Sequence, residues 1–363
     1  MTTIQDVARH AAVSVSTVSN VLNGRGHRMG PDTLARVEAA IRTLQFRPNK
    51  LAQQLKTGQT PLIGLLVPSM TNPMYGYIAR EIERVAQERF GHRLLIGSTY
   101  RDQQKEGAFV EDLLAQGVRR VIVISSLADE RHFESAVERG MVVVSYDRGP
   151  GPGRGSKVAH VMPDNFETAR LATAHLIEKG HRRLAFVTVA GMTMSRKAKI
   201  DGFHAAIDAA KLRSGAQVLD GGPLNEYGDT VIAEVGRATA LQVARVRHRP
   251  TGILALNDLM ALGLMAGLRE SGLRVPQDIS VVGIDVHFLS ALSNPMLTTV
   301  QLPVPEMALE MVERVMNARP DSITEDSRQV FAPTRLIERE SVAGPPDAPC
   351  SRAAKSRSRK ASQ

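Results

Sequence analysis

Apolar residues near the N-terminus recur at helical spacing in two short segments that only three or four residues separate. A first helix would start at Thr3, whose hydroxyl can pair with the Asp6 carboxylate in a capping box, and a second would be capped by Ser14. The inward positions of the two helices are Ile4, Val7, Ala8, Ala11, Val18, Val21 and Leu22. This spacing predicts a helix-turn-helix.

A third helical pattern opens at Gly30 and Pro31, where proline occupies a first-turn position that needs no backbone donor. Its apolar positions are Leu34, Val37, Ala40, Ile41 and Leu44. The three helices together could close a small core.

The outward face of the second predicted helix is small, polar and uncharged. It consists of Val15, Ser16, Thr17, Ser19, Asn20 and Asn23. A helix that faces solvent usually carries Glu and Lys, whereas a face of this kind can enter a DNA groove. The alternative is an amphipathic helical hairpin that packs on a larger core.

Short apolar runs alternate with helical patterns from residue 61 to residue 339, which is typical of parallel βα units whose sheets are covered on both faces. Predicted strands begin at residues 62, 93, 120, 142, 184, 217, 252 and 280, and predicted helices span 77–87, 106–116, 165–178 and 258–271. The predicted fold class is an N-terminal all-α headpiece followed by α/β structure, with two doubly wound parallel-sheet lobes.

Four segments follow from these patterns: a headpiece over 1–46, a hinge helix and linker over 47–60, a two-lobed ligand-binding and dimerisation core over 61–342, and a disordered basic tail over 343–363. The hinge could form about two helical turns at most, which is marginal in isolation, and an ordinary solvated linker is the alternative. The tail is rich in Pro, Ser and cations and low in apolar residues. It has no leucine heptads, which favours a dimer over a tetramer.

Positive charge is concentrated at the two ends of the chain. Residues 1–60 contain eight cations and three acids, and residues 351–363 contain five cations and no acid. Each end therefore carries +5 of the total of +9, and the residues between them carry −1. This distribution indicates a nucleic-acid binder with a nearly neutral ligand domain.

Residues 3–56 resemble the headpiece of the lac repressor family of bacterial transcription regulators. The stretches LVPSMTNPMY, PDNFETARLATAHLIEKGHRRLAFV, LNDLMALG and VPQDISVVGIDVHFLSALSNPMLTTV extend the resemblance over residues 3–340. It implies a ligand-binding core similar to periplasmic sugar-binding proteins.

The resemblance also implies how DNA is contacted. Base-reading positions match Val15, Ser16 and Asn20, phosphate-binding positions match Ser14, Thr17, Asn23 and Thr33, and the minor-groove hinge matches Ala52, Leu55 and Lys56. Many relatives have Arg in place of Asn20, so the operator sequence is not carried over. Relatives often have Gly or Asn in place of Ala12, and if that residue needs positive φ, Ala costs on the order of 1 kcal/mol.

Ligands of open parallel sheets bind beyond the carboxyl ends of the strands. Residues at or near those ends, together with the family pattern, give the expected effector site: Ser69, Tyr75, Ser125, Asp147, Lys199, Asn257 and Asp285. Lys199 stands where many relatives have Arg, and the alternative is that Lys199 faces solvent and Arg196 binds. For Asn165 and Asp258, capping of the next helix is an equal alternative to ligand binding.

We therefore expect a cytoplasmic, homodimeric, sequence-specific DNA-binding regulator, most readily a repressor, controlled by a sugar or sugar acid. Its partners would be double-stranded operator DNA and the effector, with no membrane and no cofactor. One alternative function is an enzyme that uses the Gly-rich run 149–155, but two prolines in this run remove backbone donors. The other is a sugar receptor, which the headpiece and the lack of an export signal argue against. The only cysteine, Cys350, excludes a disulfide, and no metal-ligand or catalytic spacing stands out.

Overall fold

A computed structural model of the chain describes residues 2–22, 29–46, 60–125, 127, 129–146, 158–191, 193–222, 230–285, 288–318, 328–332 and 335–346. The chain divides into two compact units between Thr60 and Pro61. The finer segment bounds given above stay predictions.

The described part of the N-terminal unit contains three α-helices: α1 (Ile4–His10), α2 (Val15–Leu22) and α3 (Pro31–Thr43). The Thr3 hydroxyl and the Asp6 carboxylate form the predicted capping box at α1, and Gly30 caps α3 with proline in its first turn. Val7, Val18 and Val37 are fully buried and form the centre of the small core.

The first lobe of the larger unit has a six-stranded parallel sheet. Its strands are β1 (Leu62–Val67), β2 (Arg93–Ser98), β3 (Arg120–Ile124), β4 (Val142–Tyr146), β5 (Ala159–Pro163) and β11 (Arg328–Phe331), in the spatial order β11-β5-β4-β3-β1-β2. Three helices follow strands of this lobe: α4 (Pro73–Phe90), α5 (Gln103–Ala115) and α6 (Glu134–Glu138).

The second lobe repeats this architecture. Its strands are β6 (Leu184–Thr188), β7 (Ala216–Asp220), β8 (Gly252–Ala255), β9 (Ser280–Asp285), β10 (Thr298–Gln301) and β12 (Arg335–Ile337), in the order β12-β10-β9-β8-β6-β7. Among the described strands of this sheet, β12 alone is antiparallel to its neighbour. The helices are α7 (Asn165–Glu178), α8 (Met194–Ala209), α9 (Thr230–Arg245), α10 (Asp258–Glu270) and α11 (Phe288–Leu292).

The chain crosses between the two lobes three times. It leaves β5 of the first sheet for α7, which packs with the second lobe, and it returns after β10 through α12 (Val304–Asn317), which packs on α4 and on the first sheet. The third crossing joins β11 to β12. Three connections of this kind hold two lobes side by side and leave a cleft between the carboxyl ends of their strands.

The predicted fold class is confirmed, and each of the eight predicted strands is present. Four strands were not predicted from the sequence: β5, β10, β11 and β12. Three of them, the threonine-rich β10 and the short β11 and β12, lack a continuous apolar run. In β10, Thr298 and Thr299 are buried through hydrogen bonds and sheet pairing rather than through apolar side chains. Helix α4 begins four residues before the predicted 77–87 and ends three residues after it.

Candidate DNA-reading face and ligand cleft

The start of α2 presents hydroxyl groups and a valine to solvent. The Thr17 backbone amide donates to Ser14 Oγ at 3.2 Å, and Ser14 Oγ also lies 2.7 Å from Ser16 Oγ. Val15 is 42% exposed, whereas Asn20 is half-buried on the same helix. The face predicted to enter a groove is therefore accessible at its N-terminal end.

Ala12 lies in the turn between α1 and α2 with φ of 52°. Residue 12 therefore does need positive φ. This left-handed conformation is unfavourable for alanine because it has a Cβ atom. At the N-terminus of α1, hydrogen bonds from the Thr3 hydroxyl and backbone amide lower the pKa of Asp6. Both features fix the geometry of the helix-turn-helix.

Of the remaining residues predicted to contact DNA, Thr33 lies within the described part of the chain. Thr33 lies in the first turn of α3, half-buried, with its backbone amide donating to the Gly30 carbonyl at 3.1 Å. Asn23, Ala52, Leu55 and Lys56 lie outside the described residues. Their assignments stay predictions.

The cleft between the lobes has a volume of about 650 Å³, including the part that is open to solvent. Both lobes contribute to its walls. Its lining residues are Asn72, Met74, Tyr75, Ile78, Arg101, Tyr146, Pro163, Asn165, Thr193, Ser195, Arg196, Lys199, Ile232, Leu256, Asn257, Asp285 and Leu302. Small-molecule sites commonly lie in a cleft of this kind between two lobes.

The wall in the first lobe combines two aromatic side chains with a guanidinium. Tyr75 lies in the first turn of α4, where the Asn72 side chain caps the helix by accepting from the Met74 amide at 3.0 Å. Arg101 follows β2, and its Nη2 donates to the Tyr75 hydroxyl at 2.9 Å. Tyr146, at the end of β4, is 5% exposed.

The wall in the second lobe contains two cations at the N-terminal end of α8. Arg196 is 7% exposed, and its Nη1 donates to the carbonyl oxygens of Ala190, at 2.9 Å, and Gly191. Lys199 is half-buried, and its Nζ lies 3.4 Å from the Leu256 carbonyl oxygen. Lys199 and Arg196, the two alternatives for the cation that binds the effector, therefore line the same cleft. The assignment of that role to Lys199 stays a prediction.

Three polar residues lie at or just beyond the carboxyl ends of strands β8 and β9. Asn257 lines the cleft and caps α10 by accepting from the Met260 amide at 3.0 Å. Asp285 ends β9 with φ of 130°, a strained conformation for a residue other than glycine and one that often occurs at ligand sites. Asp258 is fully buried behind Asn257 and accepts hydrogen bonds from Ser290 and Thr299.

Neither Asn165 nor Asp258 caps the helix that follows it. The caps are Asp164 for α7 and Asn257 for α10, one residue before Asn165 and Asp258. Asn165 lines the cleft and Asp258 does not.

Two of the predicted effector residues lie outside the lining of the cleft. Ser69 and Ser125 are each 1% exposed, and their hydroxyls lie against the chain just beyond β1 and β3, with Ser69 Oγ at 2.7 Å from Thr71 Oγ1. Asp147 lies outside the described residues. Ligand binding by these three residues stays a prediction.

Sequence reasoning missed Arg101, Thr193 and Ser195 as lining residues. Arg101 follows β2 in the pattern RLLIGSTYR, and that position at a strand end was the available signal. Thr193 caps α8 by accepting from the Arg196 amide at 3.2 Å. Its strand-to-helix position was hidden because no helical pattern was assigned to residues 194–209.

The charged groups that line the cleft are mostly cationic. Among the described lining residues, Arg101, Arg196 and Lys199 are opposed by a single acid, Asp285. The N-terminus of α8 adds a partial positive charge on the same side. The described cleft is therefore suited to a ligand that carries negative charge.

No group of three or more His, Cys, Asp or Glu side chains in the described part of the chain could hold a metal ion. Among the helices that the structure describes, none has the length and apolar character of a membrane span.

Two family models match the chain. Residues 3–49 match the bacterial regulatory proteins of the lacI family, and residues 173–342 match the periplasmic binding protein-like domain. Over 347 residues the chain is 31% identical to the HTH-type transcriptional regulator GalS of Salmonella typhimurium, an alignment that covers 94% of this chain and 97% of that protein. The chain belongs to the LacI family.

Two further comparisons agree with this assignment. The LacI-family chain is 33% identical over 348 residues to the HTH-type transcriptional repressor PurR of Aliivibrio fischeri, with 94% of this chain and 98% of that protein covered. It is also similar to the structure of the lac repressor dimer bound to operator and the anti-inducer ONPF. The TM-score is 0.77 and the identity 26%, over 94% of this chain and 99% of that chain. The resemblance found in the sequence is thereby confirmed, and the chain is a LacI-type DNA-binding regulator with a ligand-binding domain.

Proposed function

We propose that this chain is a cytoplasmic transcriptional repressor that binds operator DNA as a homodimer. Its operator affinity would be controlled by a sugar acid, or by a sugar, bound in the cleft. The observation that carries the effector class is the excess of cations over acids among the described lining residues. The similar lac repressor structure, which is a dimer bound to operator, supports the DNA and assembly parts of the proposal.

Operator binding would use the residues that match the family pattern. Val15, Ser16 and Asn20 would read base edges in the major groove, where an amide can pair with adenine and a valine can contact a thymine methyl. Phosphate contacts would come from Ser14, Thr17, Asn23 and Thr33. Ala52, Leu55 and Lys56 would form the minor-groove hinge, with Leu55 as the wedge.

Effector binding would use both walls of the cleft. Lys199 would meet a carboxylate or hydroxyl of the ligand, Tyr75 would pack on its carbon face, and Asn257 and Asp285 would bond its hydroxyls. Asp147, Ser69 and Ser125 would support the same ligand through the first lobe. Because carboxylates pair strongly with a lysine and a buried arginine, a sugar acid should bind more tightly than the matching neutral sugar.

Control of the operator would follow from lobe movement. A ligand that contacts both walls stabilises one relative arrangement of the lobes, and this would change the separation of the two hinges in a dimer. Differential affinity of a few kcal/mol for the two arrangements is enough for a useful switch. We propose no catalytic activity for the chain.

The effector proposal is tested by calorimetry of the wild type and Lys199→Met with a panel of sugar acids and their neutral counterparts. We expect a sugar acid to bind the wild type and to lose on the order of tenfold in affinity with Lys199→Met. Lys197→Met is the matched control, because Lys197 is exposed and paired with Asp201 at 2.6 Å. Equal binding of the acid by the wild type and by Lys199→Met would remove Lys199 from the site.

The DNA proposal is tested by selecting bound fragments from random duplexes, with and without the effector found by calorimetry. A consensus sequence that appears in only one of the two conditions would confirm an effector-controlled operator. Uniform recovery of all duplexes in both conditions would contradict it.

A further inference from the structure

Five apolar side chains contribute to the lining of the cleft, beside the charged groups described above. They are Met74, Ile78, Ile232, Leu256 and Leu302, and we call them the apolar floor. All five belong to one continuous cluster of buried apolar residues, and each is at most 6% exposed. Side chains that line a cleft but are nearly inaccessible to water border its narrow part. The apolar floor is therefore suited to a small apolar group rather than to a hydrated one.

Packed secondary structure fixes the position of the apolar floor. Met74 and Ile78 lie one helical turn apart on α4, and Ile232 lies in the first turn of α9. Leu256 directly follows β8, and its backbone amide donates to a carbonyl oxygen of β6 at 2.9 Å. Leu302 directly follows β10, where the chain crosses back to the first lobe. Side chains that are held by helices and strands in this way can discriminate between closely similar ligands.

The apolar floor meets the cationic wall at Leu256. Lys199 Nζ lies 3.4 Å from the Leu256 carbonyl oxygen, and the Leu256 side chain is part of the floor. Asn257 and Asp285, which also line the cleft, can bond hydroxyl groups. The described lining thus offers a cation, hydroxyl-binding groups and a carbon surface to a single ligand.

A ligand with a carboxylate, several hydroxyls and one carbon group without a hydroxyl matches this combination. A methyl group gains free energy when it is buried on apolar side chains, whereas a hydroxymethyl group in the same place gives up hydrogen bonds to water. We propose that the effector is a deoxy sugar acid whose terminal methyl group lies on the apolar floor while its carboxylate meets Lys199. This inference rests on the proposed function, because it refines the effector class of the same cleft.

The test is isothermal titration of the full chain with three pairs of sugar acids. The pairs are L-fuconate and L-galactonate, D-fuconate and D-galactonate, and L-rhamnonate and L-mannonate. Within each pair, the first acid has a methyl group where the second has a hydroxymethyl group, and the remaining atoms are the same. The neutral pair L-fucose and L-galactose is measured alongside.

We expect at least one deoxy acid to bind on the order of tenfold more tightly than its hydroxylated partner, because the terminal hydroxyl of the partner loses hydrogen bonds on the apolar floor. Ile232→Thr should reduce this preference to about threefold or less, since the new hydroxyl can pair with the hydroxymethyl group. Val231→Thr is the matched control and should keep the preference. Val231 precedes Ile232 on α9 and is not among the described lining residues.

Equal binding within all three pairs, or tighter binding of the hydroxylated acids, would overturn the inference. So would a failure of every deoxy compound to bind, or an equal loss of preference in Val231→Thr and Ile232→Thr. Unfolding midpoints by circular dichroism identify a variant that fails to fold, and Leu302→Thr then replaces Ile232→Thr with the same expectation. The comparison of the pairs in the wild type needs no variant.

The proposed function and this inference fail separately. Equal binding of L-fuconate and L-fucose would contradict the role of charge in the cleft, but the preference for the methyl group would still be measured within each pair. Tighter binding of sugar acids than of neutral sugars, without a preference for the deoxy member, would leave the proposed function intact and remove the apolar floor from the site.

Discussion

Arg101 Nη2 donates a hydrogen bond to the Tyr75 hydroxyl at 2.9 Å, which joins the end of β2 to the first turn of α4 at the wall of the cleft. Both Tyr100 and Arg101 have positive φ, at 54° and 58°. The turn after β2 therefore places the guanidinium against the phenol at some cost in backbone strain. A strained turn that this side-chain pair joins to the wall of the cleft is a sensitive point of the site.

We expect Tyr75→Phe to weaken effector binding by about fivefold, because Arg101 loses a hydrogen-bond acceptor at the cleft wall and a hydrogen bond of this kind contributes about 1 kcal/mol. Isothermal titration with the effector found in the panel measures the change. Tyr77→Phe is the control, since Tyr77 lies on the same helix outside the cleft lining. If both variants bind as the wild type does, the pair does not position Arg101 for the ligand.

Ala12 adopts φ of 52° in the helix-turn-helix, so Ala12→Gly should stabilise the headpiece. Removing the Cβ relieves left-handed strain of about 1 kcal/mol, and the larger entropy of glycine in the unfolded state cancels part of this gain. Slower amide hydrogen exchange in α1 and α2 of the full chain would report the effect. Ala35→Gly, at an exposed position within α3, should instead accelerate exchange by removing helix propensity. Faster exchange with Ala12→Gly would contradict the assignment of strain.

Local sequence patterns were sufficient for the headpiece helices and for most of the central strands. The capping box of Thr3 and Asp6 and the proline at the start of α3 could be predicted because they depend on contacts within one helical turn. The continuous apolar runs of the central strands predicted β1, β3, β4, β6, β8 and β9 because both faces of a parallel sheet are buried.

The strands and site residues that were not predicted depend on contacts between residues distant in sequence. Thr299 is buried because it donates to Asp258, 41 residues away, and no local pattern indicates such a pair. Arg101 reaches the cleft through a turn with positive φ at two residues other than glycine, which the sequence does not mark. The capping residues were misplaced by one position at Asn165 and Asp258 because Asp164 and Asn257 are equally good caps.

The buried Asp258 carboxylate should be a strong determinant of stability in the second lobe. Its Oδ1 accepts from Thr299 Oγ1 at 2.6 Å, and Ser290 donates to its other oxygen. We expect Thr299→Val to lower the free energy of unfolding by about 1.5–3 kcal/mol, since a buried carboxylate would lose one of its donors. Urea denaturation followed by circular dichroism measures the change.

Thr173→Val provides the matched comparison for Thr299→Val. Thr173 is also fully buried, but its hydroxyl donates to the Ala169 carbonyl within α7, a neutral acceptor that already takes part in the helix. Removing this hydroxyl should cost about 1 kcal/mol or less. Equal costs for the two substitutions would show that Asp258 is satisfied without Thr299.

The stability of the chain should depend on pH through two buried histidines in the second lobe. Burial lowers the pKa of both His175 and His181 below the usual value of 6.5. The unfolded chain therefore binds more protons than the folded chain at pH values just below 6.5, and the free energy of unfolding should fall as the pH is lowered from 7.5 to 5.5. At pH 7.5 and above nearly the full stability is present, because both histidines are then almost entirely neutral in the folded and in the unfolded chain. Urea titrations of H175Q/H181Q should show a weaker pH dependence than the wild type, whereas H204Q, at an exposed position on α8, should retain it. An unchanged slope in the double variant would mean that other groups cause the acid sensitivity.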